Sequence, residues 1–572
     1  MSQEFDGKSP YKIVKVSPAQ LQPLEEVISG RELLRLDEAK AEGKEALEVH
    51  KKDTPMFIGG VSIPSKTNVY YWGQTQHGKT STMKVTLCQV LERINKGSKE
   101  KVIVYAPSSE LIPFIYAHAS NAPVYILNPS DARCYQWDLN KDIKSTANTL
   151  DLTQTLVKEK QGDTPFFSEG AKSLLGAVIN AFFLSVVKDG KSIDWTFADI
   201  VNAVRTEERI KAVLGLQPKY LNYIAENFLD RQNKDVLASL TARTQELQSV
   251  APLWEGRPKF SLREFLDPTT QGGILILGED ADNRATVLEI NRLLIERMGK
   301  MLSNREECKE ARYWFFLDEF QQLGKMETLK RLVKDGLKRG IRIHLASQNT
   351  ADIIATYGKD DANVLFWECG THLIFYHGHE DSAQEAIKAI GKQKKRRFLR
   401  SMNLSVTKQS GTNSGENENT SHGQTFGKEN TTSIQESKGT QQGENQSVSA
   451  TVAVGKNETI VYEYAVGAEE LNKLYEGEFY AVTSYIKGFW KHRYNWDALL
   501  PIVEARSDKP EHAREIERTE QERASLLEDW TSKDYDRLGL SKNVQKPKEP
   551  PTQISNANNQ TYLQRLKADF RR

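Results

Sequence analysis

The octapeptide Gly73-Gln-Thr-Gln-His-Gly-Lys-Thr80 limits what this chain can fold into more than any other stretch. It satisfies GxxxxGK[ST], follows the apolar run NVYYW and opens STMKVTLCQVLERI, so strand, loop and helix come in the order a phosphate loop requires. Gly73 and Gly78 allow the backbone from Gln74 through Thr75, Gln76 and His77 to turn its N–H groups inward around an anion at a helix N-terminus, with Ser81 in the first helical turn. Lys79 is expected to reach the β- and γ-phosphates and the Thr80 hydroxyl to ligate Mg²⁺, so ATP and Mg²⁺ are the expected cofactors.

Such a loop calls for a second apolar strand ending in acid, and Ala311 to Glu319 (ARYWFFLDE) supplies it. Asp318 is expected to hold the metal and Glu319 to accept a proton from an attacking water, an arrangement suited to hydrolysis rather than to binding alone. A helix (METLKRLVKDGLKRG) and a further strand, IRIHLASQ, then end in Gln348, whose amide can bond a γ-phosphate or the lytic water. Ser347 and Asn349 beside it also read as helix-capping residues.

The strand-like runs NVYYWG, KVIVYAP, PVYILNP, GGILILG, ARYWFFLDE, IRIHLASQ and THLIFYHG are almost continuously apolar, as parallel strands covered on both faces should be. An α/β sheet with helical crossovers follows. More than 130 residues between PVYILNP and GGILILG show only amphipathic helical spacing, so an all-α insertion is expected. The expected division is an N-terminal helical segment (1–54), a nucleotide-binding domain in two parts (55–165 and 263–400) around the all-α insertion (166–262), and a disordered Ser/Thr/Asn/Gln/Gly-rich linker (401–458). The last helix and strands of the nucleotide-binding domain (459–500) and a charged tail (501–572) containing an exposed helix, EHAREIERTEQERASLLEDW, complete it.

Composition excludes little beyond an integral membrane protein. Lysine and arginine number 78 against 77 acids, so a nucleic-acid surface would have to be local. Four scattered cysteines fit a reducing compartment. No secretory signal is visible, and the longest apolar run, 174–187, is too short to cross a bilayer and reads as a buried helix.

With these residues in view, GGVSIP, GQTQHGKT, NPSDARCYQWD, FFSEGAKSLL, FFLDEFQQLG, ASQNTADIIATYG and AEELNKLYEGEFYAV occur in the order found in type IV secretion coupling proteins of the TraG/TraD type. Over residues 55 to 500 the chain resembles this family of DNA-pumping conjugation ATPases, which are related to the FtsK and HerA motors. The resemblance implies a RecA-like core with a mostly parallel sheet, ATP at the interfaces of a homo-hexameric ring, and DNA, single- or double-stranded, in its channel. It also implies a relaxase or secretion-system proteins as partners. Three departures stand out. No membrane anchor is found, so a cytoplasmic protein is expected, recruited to the inner membrane face through a partner. The strand that usually ends in Asp-Pro reads Val104-Tyr105-Ala106-Pro107. The trans-acting arginine of a G-R-x-x-G turn is replaced by Gly336-Leu337-Lys338-Arg339-Gly340, leaving Arg339 or Lys338 to act from a neighbouring subunit, or simply to complement a helix dipole.

Besides a translocating motor, two readings stay open: a nucleotide-gated docking scaffold and a DNA-processing helicase outside secretion. Lys392 to Arg400 (KQKKRRFLR) can contact phosphates or form a solvated loop. His377, His379 and Glu380 (YHGHED) read as a polar turn rather than a metal cluster, because alternate residues at a strand end point to opposite faces.

Overall fold

The computed structural model describes residues 24–105, 107, 110–157, 165–185, 193–217, 234–244, 246–279, 284–411, 445–513, 516–523 and 526–540. Its strands are β1 (Leu24–Ser29), β2 (Leu33–Leu34), β3 (Val69–Trp72), β4 (Lys101–Tyr105), β5 (Val124–Ile126), β6 (Gly273–Leu277), β7 (Cys308–Leu317), β8 (Arg339–Ser347), β9 (Thr371–Ile374), β10 (Lys392–Gly411), β11 (Asn445–Tyr464), β12 (Glu478–Thr483) and β13 (Phe489–Arg493), apart from two small strand pairs. Ten of these form one sheet in the order β2-β13-β12-β9-β3-β8-β7-β4-β6-β5. From β9 to β5 all neighbours run parallel; β12 and β13 extend the β9 side antiparallel.

The apolar runs are buried on both faces because side chains alternate between two layers. Tyr70, Trp72, Ile103, Tyr105, Phe315 and Leu317 face one cluster, which continues into the core of the helical insertion. Val69, Tyr71, Val102, Val104, Trp314 and Phe316 face the other, against Met83, Leu87 and Val90 of the helix Lys79–Asn95. Each such side chain is worth about 1.5–3 kcal/mol on full burial, so a charge placed at Val104 would disrupt the centre of the sheet. Between β5 and β6, among the described residues, the regular elements are helices and one parallel pair, Gln136–Trp137 with Lys259–Phe260, at the neck of the insertion. The helix Pro165–Leu184 is its buried centre. Among the described residues no helix is long and apolar enough to cross a membrane.

Three segments differ from expectation. In the N-terminal segment, Leu24–Ser29 is a strand that pairs with β10; Gly30 at φ +112° breaks it, and the helix begins only at Leu36. The ends of the expected linker at 401–458 continue β10 and β11, which pair without interruption from Lys392–Tyr464 to Gly411–Asn445; residues 412–444 lie outside the described residues. In the tail, among the described residues, the end of the helix Trp496–Val503 is followed only by a 3-10 turn at Pro510–His512 and the short helices Glu520–Arg523 and Ser532–Arg537. The reason is tertiary. Leu527, Trp530, Leu538 and Leu540 are buried, and Asp199 of the insertion accepts bonds from Trp530 Nε1 (2.9 Å) and both terminal nitrogens of Arg537 (2.8 and 2.9 Å).

Candidate nucleotide site

Gly73 leaves β3 at φ +143°, where a Cβ would stand 2.7 Å from that of Phe375, and Gly78 at φ +95° would carry its Cβ 3.3 Å from the Gly477 Cα. Only glycine suits either position. Gln74 N–H donates to the Tyr376 carbonyl (3.0 Å), Gln76 takes the left-handed region (φ 62°), and the His77 ring stacks on Tyr376 at 4.2 Å. Thr75 gives its carbonyl to His77 Nδ1 (2.7 Å). The helix therefore starts at Lys79 with Ser81 in its first turn and no side chain capping its free N–H groups, which is what an anion site requires.

Lys79 is buried, its Nζ donating to the Gly73 and Gln74 carbonyls, both at 2.6 Å. Burial lowers its pKa to about 8 against the attraction of Asp318 and Glu319. The Thr80 hydroxyl donates to Asp318 Oδ2 at 2.9 Å, across 238 residues of sequence. Asp318 is fixed by its own N–H donating to the Tyr105 carbonyl (3.0 Å); burial raises its carboxyl, opposed by Thr80 and Lys79. Hydroxyl and carboxylate oxygens so paired are hard donors of the kind a divalent cation takes. Glu319 is one of two non-glycine described residues at positive φ (48°), a conformation that costs energy and turns its side chain back over the sheet edge. Gln348 Nε2 and Gln322 Nε2 donate to its two carboxylate oxygens. Burial and then the Asp318 charge raise its pKa. The structure thus brings together the loop residues, Lys79, Thr80, Asp318, Glu319 and Gln348.

Four further residues complete the edge. Arg284 donates to Gln322 Oε1 (2.7 Å) and pairs with Glu279 (3.0 Å), and Glu279 accepts from the Tyr105 hydroxyl (2.6 Å). Glu279 thereby places a carboxylate beside the strand whose own acid is missing at Ala106. The signal was present: GGILILGED is an apolar strand ending in acid, as ARYWFFLDE is. His377 is buried beside this loop with no hydrogen-bond partner among the described residues on either ring nitrogen, its pKa lowered to about 4 by burial, then by Lys79 and His77. His379 precedes the helix Glu380–Ile390 as its N-cap residue, with Glu380 in the first turn, so these three side chains do not converge.

Arg339 is not brought to the site of its own chain. It begins β8, nine residues long, at the end opposite Gln348, and donates to the carbonyls of Arg305 (3.1 Å) and Asp335 (3.4 Å). The basic run from Lys392 lies on β10, where Lys395 and Arg397 pair with Glu463, and Arg396 with Glu26 and Glu458. Lys392 and Lys394 sit over Tyr464 and Tyr462. Those cations are largely neutralised within their own sheet.

Parallel sheet, phosphate loop and facing acid pair define a P-loop protein with a RecA-like α/β core. The model of the type IV secretion-system coupling protein DNA-binding domain matches residues 55–474. The chain belongs to that coupling-protein family. It is 22% identical over 371 residues to the coupling protein TraD of Escherichia coli K12, covering 64% of this chain and 50% of TraD. It is 24% identical over 300 residues to a probable conjugal transfer protein TraG of Sinorhizobium fredii, covering 48% of this chain and 45% of that one. It therefore spans about half the length of these relatives. Among solved structures, the plasmid coupling protein TrwB with ADP and Mg²⁺ superposes at TM-score 0.57 with 14% identity, covering 82% of this chain and 93% of TrwB. TrwB with the ATP analogue ADPNP gives 0.57 at 15% identity, covering 86% and 98%. The expected fold class is thus found.

Proposed function

We propose that this protein is an ATP-hydrolysing motor that moves DNA, acting as the coupling ATPase of a conjugative type IV secretion system. The observation that carries the reading is the Thr80–Asp318 contact, which closes the phosphate loop on the acid pair and places Lys79, Glu319 and Gln348 around one small volume. ATP with Mg²⁺ fits there: the uncapped helix start and the Lys79 ammonium would take the phosphates, and Thr80 with Asp318 would hold the metal. When bound between Thr80 and Asp318, Mg²⁺ would supply charge neutralisation for the phosphates. Glu319, its pKa raised by burial and by Asp318, is suited to take the proton of an attacking water, while Gln348 and Gln322 fix its carboxylate. A transition-state role for Arg339 requires a ring, since only a neighbouring subunit could bring it to this edge. TrwB structures holding ADP with Mg²⁺ and ADPNP, and the DNA-binding description of the family, support the reading. We further propose a homo-hexamer, with a relaxase or secretion-system proteins as partners and recruitment to the inner membrane face through one of them.

The test is ATP turnover with and without DNA at low salt, where phosphate contacts are strongest. Stimulation by DNA is expected; turnover indifferent to DNA would rule out the motor.

A further inference from the structure

A cleft of about 590 Å³ opens at the sheet edge opposite the nucleotide site, where the 20-residue helix Arg284–Ser303 ends. Arg263, Arg297, Lys300, Arg305 and Arg331 line it against a single carboxylate, Asp151. That carboxylate is already engaged by Lys300 (2.8 Å) and Arg297 (3.8 Å). Arg297 is buried, donates one terminal nitrogen to the Asp142 carbonyl (2.8 Å) and has no partner for its Nε among the described residues. Arg263, Arg305 and Arg331 make no ion pair with any described carboxylate. A second cleft of about 270 Å³ shares Ser303, Asn304 and Arg331 and adds Lys338 and Arg339 beside Glu307 and Asp335. In a chain whose charges balance, this is a local concentration of uncompensated cation.

Guanidinium groups crowded around one opening repel each other unless an anion lies between them, and their planar forks match phosphate oxygens in pairs. The clefts run into one another, which suits a polymer backbone. A free nucleotide is poorly served, because the Tyr313 ring, which could stack a base, is covered by Arg305 at 5.6 Å. The cations at the end of helix Arg284–Ser303 also complement its dipole, but Arg263 and Arg331 belong to other helices and gain nothing from that.

We propose that this strip is a nucleic-acid backbone site in which Arg263, Arg305 and Arg331 contact phosphates. The inference rests on the DNA-moving reading and gives the DNA a place at the edge away from the ATP of the same subunit. The test uses the full chain and fluorescein-labelled 30-nucleotide DNA, single- and double-stranded, with anisotropy titrations from 50 to 200 mM salt. The R263Q/R305Q/R331Q variant should lose about 2–3 from the magnitude of the slope of log K against log salt, at about 0.7–0.9 per lost contact. Its affinity for a fluorescent ATP analogue should be unchanged, and R263K/R305K/R331K should keep the wild-type slope. Should the triple variant not fold, R263Q and R331Q, both at exposed positions, each carry the test with a loss of about 0.7–0.9. An unchanged slope overturns the site and leaves the motor standing. Failure of the wild-type protein to bind DNA at 50 mM salt overturns both. Saturable binding of inorganic phosphate that depends on these arginines, with the DNA slope unaltered, would assign a small-anion site and overturn the nucleic-acid one.

Discussion

Arg537→Ala tests whether the C-terminal segment is part of the insertion's architecture. Asp199 is buried at the start of the helix Phe197–Ala203, where it accepts from Thr196 N–H (2.8 Å) and Thr196 Oγ1 (3.1 Å). Trp530 and the two terminal nitrogens of Arg537 complete its coordination. Removing Arg537 deletes its bonds to the Asp194 carbonyl (2.5 Å) and Asp534 Oδ1 (3.0 Å) as well as the two charge-assisted bonds to Asp199, of about 1.5–3 kcal/mol each, and leaves the Asp199 charge to three remaining donors. The Arg537 side chain is 32% exposed, so the low end of that range applies and the expected loss is about 2–3 kcal/mol. For a unit the size of the insertion this lowers the melting temperature by roughly 10–15 °C. Scanning calorimetry reads the shift, and hydrogen exchange in Phe197–Ala203 and Glu207–Leu214 localises it. An Asp199→Asn/Arg537→Ala double variant should be less destabilised than the sum of the singles, since the uncompensated charge is gone. If Arg537→Ala melts within about 2 °C of wild type, against that calibration, the segment is a passenger on the insertion and the reasoning fails.

Glu319→Gln should lower kcat by about 10²–10⁴-fold while nucleotide affinity stays close to wild type, as measured by turnover and analogue binding; retained turnover would move the base elsewhere. Gly73→Ala should abolish nucleotide binding, because its Cβ meets Phe375 at 2.7 Å in a backbone conformation alanine resists; near-normal affinity in an analogue titration would show that the loop does not need this turn. Acid should unfold the sheet early. Burial holds His344 at about 3 and His372 at about 4, and His372 Nδ1 accepts from Trp72 Nε1 (3.0 Å), so neither is charged in the fold. Folded values below the unfolded 6.5 mean that the unfolded chain binds protons first, so stability present above pH 6.5 is lost as pH falls. For His372 the loss reaches about 3 kcal/mol by pH 4, and His372→Asn should flatten the denaturant midpoint against pH. A parallel slope in that variant would refute the assignment.

What could be read in the sequence was what is written locally. The phosphate loop, the acids after ARYWFFL and Gln348 each terminate an apolar run, and parallel pairing of β3, β8, β7 and β4 then carries all these termini to one edge. The support of Glu319 was not legible. Gln322 sits in a short turn, Arg284 opens a helix after a charged stretch, and Glu279 follows β6, two strands from β7; only the sheet order makes them neighbours. Composition misled at both polar segments. Lys392 to Arg400 reads as a phosphate-contacting run or a solvated loop because the acids of its neighbours, Glu26, Glu458 and Glu463, lie on other strands. The tail reads as an exposed helix because charged residues outnumber its anchors, yet Leu527, Trp530, Leu538 and Leu540 bind it to the insertion.

The helix Arg284–Ser303 joins the two ends of the core. At its start, Arg284 holds Gln322, which holds Glu319; at its last turns, Arg297 and Lys300 line the basic cleft. Twenty residues at about 1.5 Å each make a rod of about 30 Å, buried along one face by Ile290, Leu294 and Met298. If a rod packed in this way responds as a unit, the anion proposed for the cleft and the proton acceptor proposed at the phosphate edge would act on the same element. Turnover that rises with DNA in the wild type and no longer does so in R263Q/R305Q/R331Q, with turnover in the absence of DNA retained, is the kinetic signature of that shared element. Stimulation surviving the loss of all three arginines would separate the cleft from the catalytic edge.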